Sequence, residues 1–235
     1  MSHCLKRLLV TPVIGVAVAV TAAGTAVALQ IGGSDGRDRI VGGGGADTID
    51  AKGGADVVLA RAGNDTIALG DGFDRARAGR GDDTVDGGPG VDLIYAGPGD
   101  DGIVAGDGDD RVIAGAGADT VDAGAGFDRI RGRRGDDIER GGEGFDVLRG
   151  GRGADTLYGG PGNDRLWARV RDGASDTVSG DEGDDRIGVR DGTRDVVTCG
   201  AGFDRVRADL QDDVAADCEQ VKRHAPRPRI SDWSE

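Results

Sequence analysis

Aromatic residues make up only 3% of this 235-residue chain, histidine occurs twice, methionine once and cysteine three times. Each shortage excludes something. Large rings supply much of the buried area of an ordinary globular core, so no large core of that kind is expected. Zinc centres are built mainly from cysteine and histidine, and the middle of the chain has almost none of either. No H-E-x-x-H occurs, and beyond the first few residues the only histidine is His224, so a nucleophile and base pair has little to work with. Positive charge is also short. Lys and Arg number 29 against 43 Asp and Glu, for a net charge of −14. Such a surface repels nucleic acid and anionic membrane.

Aspartate and glycine are what the chain has, and they are periodic. Asp38, Asp47, Asp56, Asp65, Asp74, Asp83, Asp92, Asp101, Asp110, Asp119, Asp128, Asp137, Asp146, Asp155 and Asp164 follow one another at steps of nine, and the residue two before each is Gly. The residue two after is usually Ile, Val or Leu, with Ala76 and Glu139 as the exceptions. Unit 42–50 reads Gly-Gly-Gly-Gly-Ala-Asp-Thr-Ile-Asp and unit 159–167 reads Gly-Gly-Pro-Gly-Asn-Asp-Arg-Leu-Trp. The glycine half permits tight turns. The second half alternates polar and apolar residues and reads as a very short strand. A step of nine does not keep one face of a 3.6-residue helix, so the expectation is all-β. Strands this short must stack on one another as a solenoid. If two units make one coil, the chain forms two parallel sheets. One apolar side chain per nine residues makes a thin core, and something else must contribute.

The aspartates suggest what. In a two-unit coil Asp38, Asp56, Asp74 and Asp92 share one edge, and Asp47, Asp65, Asp83 and Asp101 the other. At the strand spacing of about 4.8 Å, two carboxylates repel by about 1 kcal/mol in water and about 3.5 kcal/mol at an effective dielectric near 20. A divalent cation between rungs reverses the sign. Ca²⁺ accepts six to eight oxygen ligands in flexible geometry, whereas Mg²⁺ demands stricter geometry and keeps its water.

The unit G-G-x-G-x-D-x-U-x, in register over residues 33–207, resembles the RTX, or haemolysin-type, calcium-binding repeat. That resemblance implies a parallel β-roll. It also implies calcium ions between turns of adjacent coils, bridged by Asp from units i and i+2. The carboxylates above and Asp185 are the implied ligands, with turn backbone at Gly45, Gly63, Gly81, Gly99, Gly117, Gly153 and Gly162. Many arginines follow the key aspartate: Arg39, Arg75, Arg111, Arg129, Arg165, Arg186 and Arg205. They relieve charge along the ladder, or they simply form a solvated strand face.

Register slips after Asp164. Asp176, Asp185, Asp195 and Asp204 follow at uneven steps, and Ala174 and Thr193 replace the expected Gly. Weakened or missing sites are expected around Asp176 and Asp195, and a bulge in unit 132–140, where Glu139 takes the apolar slot. The segment from Cys199 to Val221 resembles the terminal unit of secreted RTX-like proteins. Cys199 and Cys218 are the two cysteines left without the N-terminal segment, and in an oxidising compartment they are expected to pair. Residues 208–221 then form a stapled cap and 222–235 a flexible tail. Residues 1–28 read as a signal peptide, with Lys6 and Arg7 before an apolar run and an Ala-x-Ala at 26–28. The run is long enough to span a bilayer if uncleaved.

Gly32-Gly-Ser-Asp-Gly36 spells a nucleophile elbow without a strand-turn-helix context, and the glycines of 97–102 belong to the repeat. The expectation is a secreted, monomeric, non-enzymatic calcium-binding protein of structural or adhesive role, with calcium ions and a cell-surface or matrix partner. The alternative is the accessory repeat region of an exoenzyme or toxin.

Overall fold

The computed structural model describes residues 27–168, 170 and 172–225. Among them there is no helix, and therefore none long and apolar enough to cross a membrane. The chain is a parallel β-solenoid with two sheets of eleven strands each. Sheet one starts at Gln30–Gly32 and Thr48–Asp50, and sheet two at Arg39–Val41 and Val57–Ala62. Successive units alternate between the sheets, so each residue pairs with its equivalent two units on. Ile49 lies beside Ile67, and Ile94 beside Val112. The two-unit coil is therefore correct.

The apolar row points inward as the alternation requires. Ile40, Ile49, Val58, Ile67, Ile94, Ile130, Leu148, Leu157 and Leu166 are buried between the sheets. A second inward row was not anticipated. It occupies the first place of the unit: Ala51, Ala60, Leu69, Ala78, Ala96, Ala105, Ala114, Ala123, Ala168, Cys199 and Ala208, all fully buried. The core thus carries two side chains in units whose first place is Ala, Leu or Cys, and one where that place is Gly, as at Gly42, Gly87, Gly132, Gly141, Gly150 and Gly159.

Unit 132–140 forms no bulge. Glu139 stays in register between Val121 and Leu157, fully buried, and Ile138 faces out. Ladder hydrogen bonds on both neighbours hold the backbone in step, and the misfit falls on the side chain.

The irregular end keeps its stacking too. Leu157 pairs with Val178, and Val178 with Val197. Cys199 and Cys218 form a disulfide with 5.2 Å between Cα atoms. Pairing continues to Gln220–His224 on Arg205–Asp209, three residues into the segment expected as a tail. Residues 226–235 and 1–26 lie outside the described residues, and with them nearly all of the expected signal peptide. Leu29 is described, and its N–H donates to Oδ1 of Asp47 (2.8 Å).

The arginines that follow the key aspartate all lie on sheet two. Their counterparts on sheet one are mostly threonine: Thr48, Thr66, Thr84, Thr120, Thr156 and Thr177.

Candidate metal centre

Each unit turns just before its short strand, and the key aspartate sits at that corner. The side chain points back under the turn rather than out to solvent. From Asp47 to Asp164 every key carboxylate is at most 2% exposed. Asp38, in the first repeat, is the partly exposed member.

These carboxylates form two directional ladders. The backbone N–H of each aspartate donates to Oδ1 of the aspartate two units later. Asp56 donates to Asp74 (2.7 Å), Asp74 to Asp92 (2.8 Å), and Asp92 to Asp110 (2.7 Å) on one edge. Asp47 donates to Asp65 (2.7 Å) and Asp65 to Asp83 (2.8 Å) on the other. Oδ1 is thereby satisfied. Oδ2 is not: in Asp56, Asp65, Asp74, Asp83, Asp92, Asp101, Asp110, Asp119, Asp128, Asp137, Asp146, Asp155, Asp164 and Asp185 it is buried with no hydrogen-bond partner. A buried carboxylate oxygen without a partner is costly. The chain repeats that cost along its length.

The surroundings of Oδ2 are oxygen-rich. At Gly141 an added Cβ would lie 2.5 Å from Oδ2 of Asp146 and 2.5 Å from the carbonyl oxygen of Gly159, one coil further on. At Gly159 the equivalent distances are 2.6 Å to Asp164 and 2.5 Å to the carbonyl oxygen of Gly180. One carboxylate oxygen and one carbonyl from adjacent coils thus converge on the same small space. All donors are hard oxygens, which fits Ca²⁺ rather than a nitrogen- or sulfur-seeking metal.

The turn glycines expected to contribute backbone are placed differently. Gly45, Gly63, Gly81, Gly99, Gly117 and Gly153 stack on one edge, and Gly162 stands on the other. A Cβ at Gly63 would collide with the backbone of Gly45, and its φ of 122° suits only glycine. The atoms nearest such a Cβ belong to the preceding coil and not to the key carboxylate. These glycines let coils approach; where the first place of the unit is Gly, as at Gly87, Gly132, Gly141, Gly150, Gly159 and Gly180, Oδ2 of the key aspartate lies close to it.

Burial shifts the protons. Asp83, Asp92, Asp101 and Asp128 are pushed up to about 7, chiefly by desolvation. The backbone N–H on Oδ1 opposes the shift, and neighbouring carboxylates add to it. Asp185 is pushed up to about 8 for the same reasons. Glu139 is raised well above the ordinary range, first by full burial and then by Asp155 and Asp137.

Asp176 and Asp195 do not fall out of the ladders. Asp155 donates to Asp176 (2.8 Å), and Asp176 to Asp195 (2.8 Å). Asp191 joins them: one carboxylate oxygen from each of Asp176, Asp191 and Asp195 lies within 4.8 Å of the others, and all three residues are buried. Oδ1 of Asp191 accepts from the N–H (2.8 Å) and hydroxyl (2.6 Å) of Thr193, while Oδ2 of Asp191 and of Asp195 has no partner. Asp191 has no place in the nine-residue motif, which is why the period does not reveal it. The last rungs were missed as well. Asp195 donates to Asp212 (3.2 Å) and Asp204 to Glu219 (2.8 Å). Their signal was present: Asp212-Asp-Val214 and Glu219-Gln-Val221 each place an acid two before an apolar residue.

The chain matches the family model of the RTX calcium-binding nonapeptide repeat (4 copies) over residues 32–67, 69–103, 104–139, 140–169 and 172–196. No curated protein matches it. Among solved structures it is similar to the X-ray crystal structure of a hyperactive, Ca²⁺-dependent, beta-helical antifreeze protein from an Antarctic bacterium. The two share 17% identity over 88% of this chain and 82% of that one, with a TM-score of 0.48.

Proposed function

The chain belongs to the RTX calcium-binding nonapeptide-repeat family, and from that premise we propose that it is an extracellular, non-enzymatic rod whose folding is linked to calcium. One observation carries the reading: the unbroken series of buried Oδ2 atoms without partners. A proton, a cation or a donor such as water relieves such an atom, and of these a divalent cation also offsets the repulsion between ionised rungs. Among the described residues the ion pairs are Arg190 with Asp209 and Arg194 with Asp213, both at the C-terminal end, so protein cations do not serve the array. The ladder aspartates from Asp38 to Asp164, with Asp185, supply the carboxylates, and carbonyls such as those of Gly159 and Gly180 supply further oxygens. Asp176, Asp191 and Asp195 offer one more position. Calcium bound there neutralises the ladders. Because it binds the stacked form and not the open chain, it stabilises the fold by mass action.

Secretion fits the basic and apolar N-terminal segment, the disulfide, and the abundance of calcium outside cells. A rod held together by an external ion suits a structural or adhesive role at a surface or in a matrix, as a monomer. Far-UV circular dichroism of residues 29–235 in EDTA, then in excess calcium, tests the linkage. The expected result is a disordered spectrum that becomes β-rich. A spectrum already β-rich in EDTA and indifferent to calcium rejects it.

A further inference from the structure

Most strands of sheet two turn a side chain outward on each side of the buried apolar residue; Ile113, which is buried, and Gly188 are exceptions. Arginine predominates at these positions, and none is occupied by Asp or Glu. In a chain of net charge −14, such segregation is not a by-product of composition. It also has a cost. Arg165, Arg186 and Arg205 are direct neighbours on adjacent strands, as are Arg207 and Lys222. At a strand spacing of about 4.8 Å each such pair repels by about 1 kcal/mol in water, and like charges facing across strands weaken a sheet. Neither ion pair among the described residues touches this face. Aromatic rings support several guanidinium groups, with Arg149 over Trp167 at 5.1 Å and Arg165 over Phe145 at 4.8 Å. That stacking engages the flat face of the guanidinium and not its N–H edge.

The face deepens at its C-terminal end into a groove of about 480 Å³. Arg165, Trp167, Arg186, Arg205, Arg207 and Lys222 line it, and among the described residues no acid does. That volume lies in the range of ligand sites.

We propose that sheet two is a docking face for a carboxylated polysaccharide, with this groove as its deepest subsite. The guanidinium fork matches a carboxylate in a two-pronged hydrogen bond. The outward arginines of sheet two average one per strand, with two at Arg75 and Arg77, at Arg129 and Arg131, and at Arg205 and Arg207, and none beside Val58 or Ile94, a sparse charge that suits an extended chain with one carboxylate per sugar. A nucleic acid strand carries a phosphate about every 3.4 Å. That denser charge meets more opposition from a molecule of net charge −14. The inference rests on the fold and the placement of the arginines, and stands whether or not each ladder position holds calcium.

The test is calorimetric titration of the chain, kept folded in calcium as judged by circular dichroism. Three probes are used: an oligogalacturonate, its fully methyl-esterified form, and a single-stranded oligonucleotide of equal charge. The acid form should bind, more weakly as salt rises, and the ester should not. Arg186→Gln and Arg205→Gln should each weaken binding about tenfold or more, with an unchanged spectrum. Arg140→Gln, on the other sheet, should leave affinity unchanged. The proposal is overturned by failure of the acid form to bind, by equal binding of the ester, or by tighter binding of the oligonucleotide. An unchanged affinity in Arg186→Gln and Arg205→Gln also overturns it, because the polymer would then be held elsewhere, as through calcium on the acidic turns, and an equal loss in Arg140→Gln would show attraction to charge in general and not to this face. Sedimentation closes the last escape: a dimer that Arg186→Gln dissociates would mean that the face covers a second copy.

Discussion

Between Asp56 and Asp164 every rung is built alike: a buried aspartate, Oδ1 on the N–H of the rung before, Oδ2 without a partner. Beyond Asp164 the steps are uneven, glycines are replaced, and yet the same hydrogen bonds persist, from Asp155 to Asp176 and from Asp164 to Asp185 (2.7 Å). Inserted residues leave the stack at the turns and do not shift the strands. The difference lies in what the insertions bring. In the regular part carboxylates stand in single file. At the slip, Asp191 swings in beside Asp176 and Asp195 and makes a group of three. A broken period can therefore add a candidate site where the pattern alone suggests a lost one.

Proton binding should separate the two parts most strongly. In the folded, calcium-free chain Asp74 sits at about 6, Asp83 at about 7 and Asp185 at about 8, against about 3.9 in an unfolded chain. The folded form therefore binds more protons. Its stability is fully present below about pH 4 and is lost as pH rises through about 7. Thermal melts in chelator across that window should show an acid-stable solenoid that opens near neutrality. Melting that improves with pH would contradict the directions of these shifts.

Removing the disulfide with Cys199→Ser and Cys218→Ser should cost about 3 kcal/mol on the chain-entropy estimate. The cost should be confined to the end. Hydrogen exchange is expected to quicken in Gln220–His224 and remain slow around Val85 and Ile94. Uniform loss of protection would mean that the end is not a separate unit.

Calcium counting compares the parts directly. Asp110→Ala leaves the buried N–H of Asp92 without its acceptor, a cost of about 1–3 kcal/mol, and should remove one or two ions. Asp191→Asn touches no rung and should remove one ion with an unchanged spectrum. An unchanged count in Asp191→Asn would reduce the group of three to an ordinary protonated cluster.

The smallest effect is expected at Glu139. Both of its side-chain oxygens are buried and unpartnered, so Glu139→Leu should restore the apolar row and raise the melting midpoint, by about 1 kcal/mol of stability. A fall would show that the buried carboxyl serves the ladders of Asp137 and Asp155.

Much of this was legible because the signal repeats. Fifteen aspartates in step define the coil, the two sheets and the apolar row, and a single strand of three residues would have defined none of them. The Ala51–Ala60–Ala78 row was not legible, since alanine in a glycine-rich half-unit looks like turn filler. The collapse of unit 132–140 into register was not legible either. A residue out of pattern reads as a bulge, and only the neighbouring strands decide that the side chain must yield. Asp212 and Glu219 could have been found from their spacing to Val214 and Val221.

The sequence by itself determined the period, and with it the all-β solenoid and the supply of carboxylates, because a strict repeat in sequence becomes a strict repeat in space. The tertiary structure alone decided which oxygen of each carboxylate is left over and that Asp191 meets Asp176 and Asp195. It also decided that the arginines share one face and the threonines the other. Those outcomes depend on which coil lies beside which and how the side chains turn under it, and a pattern of nine residues does not record either.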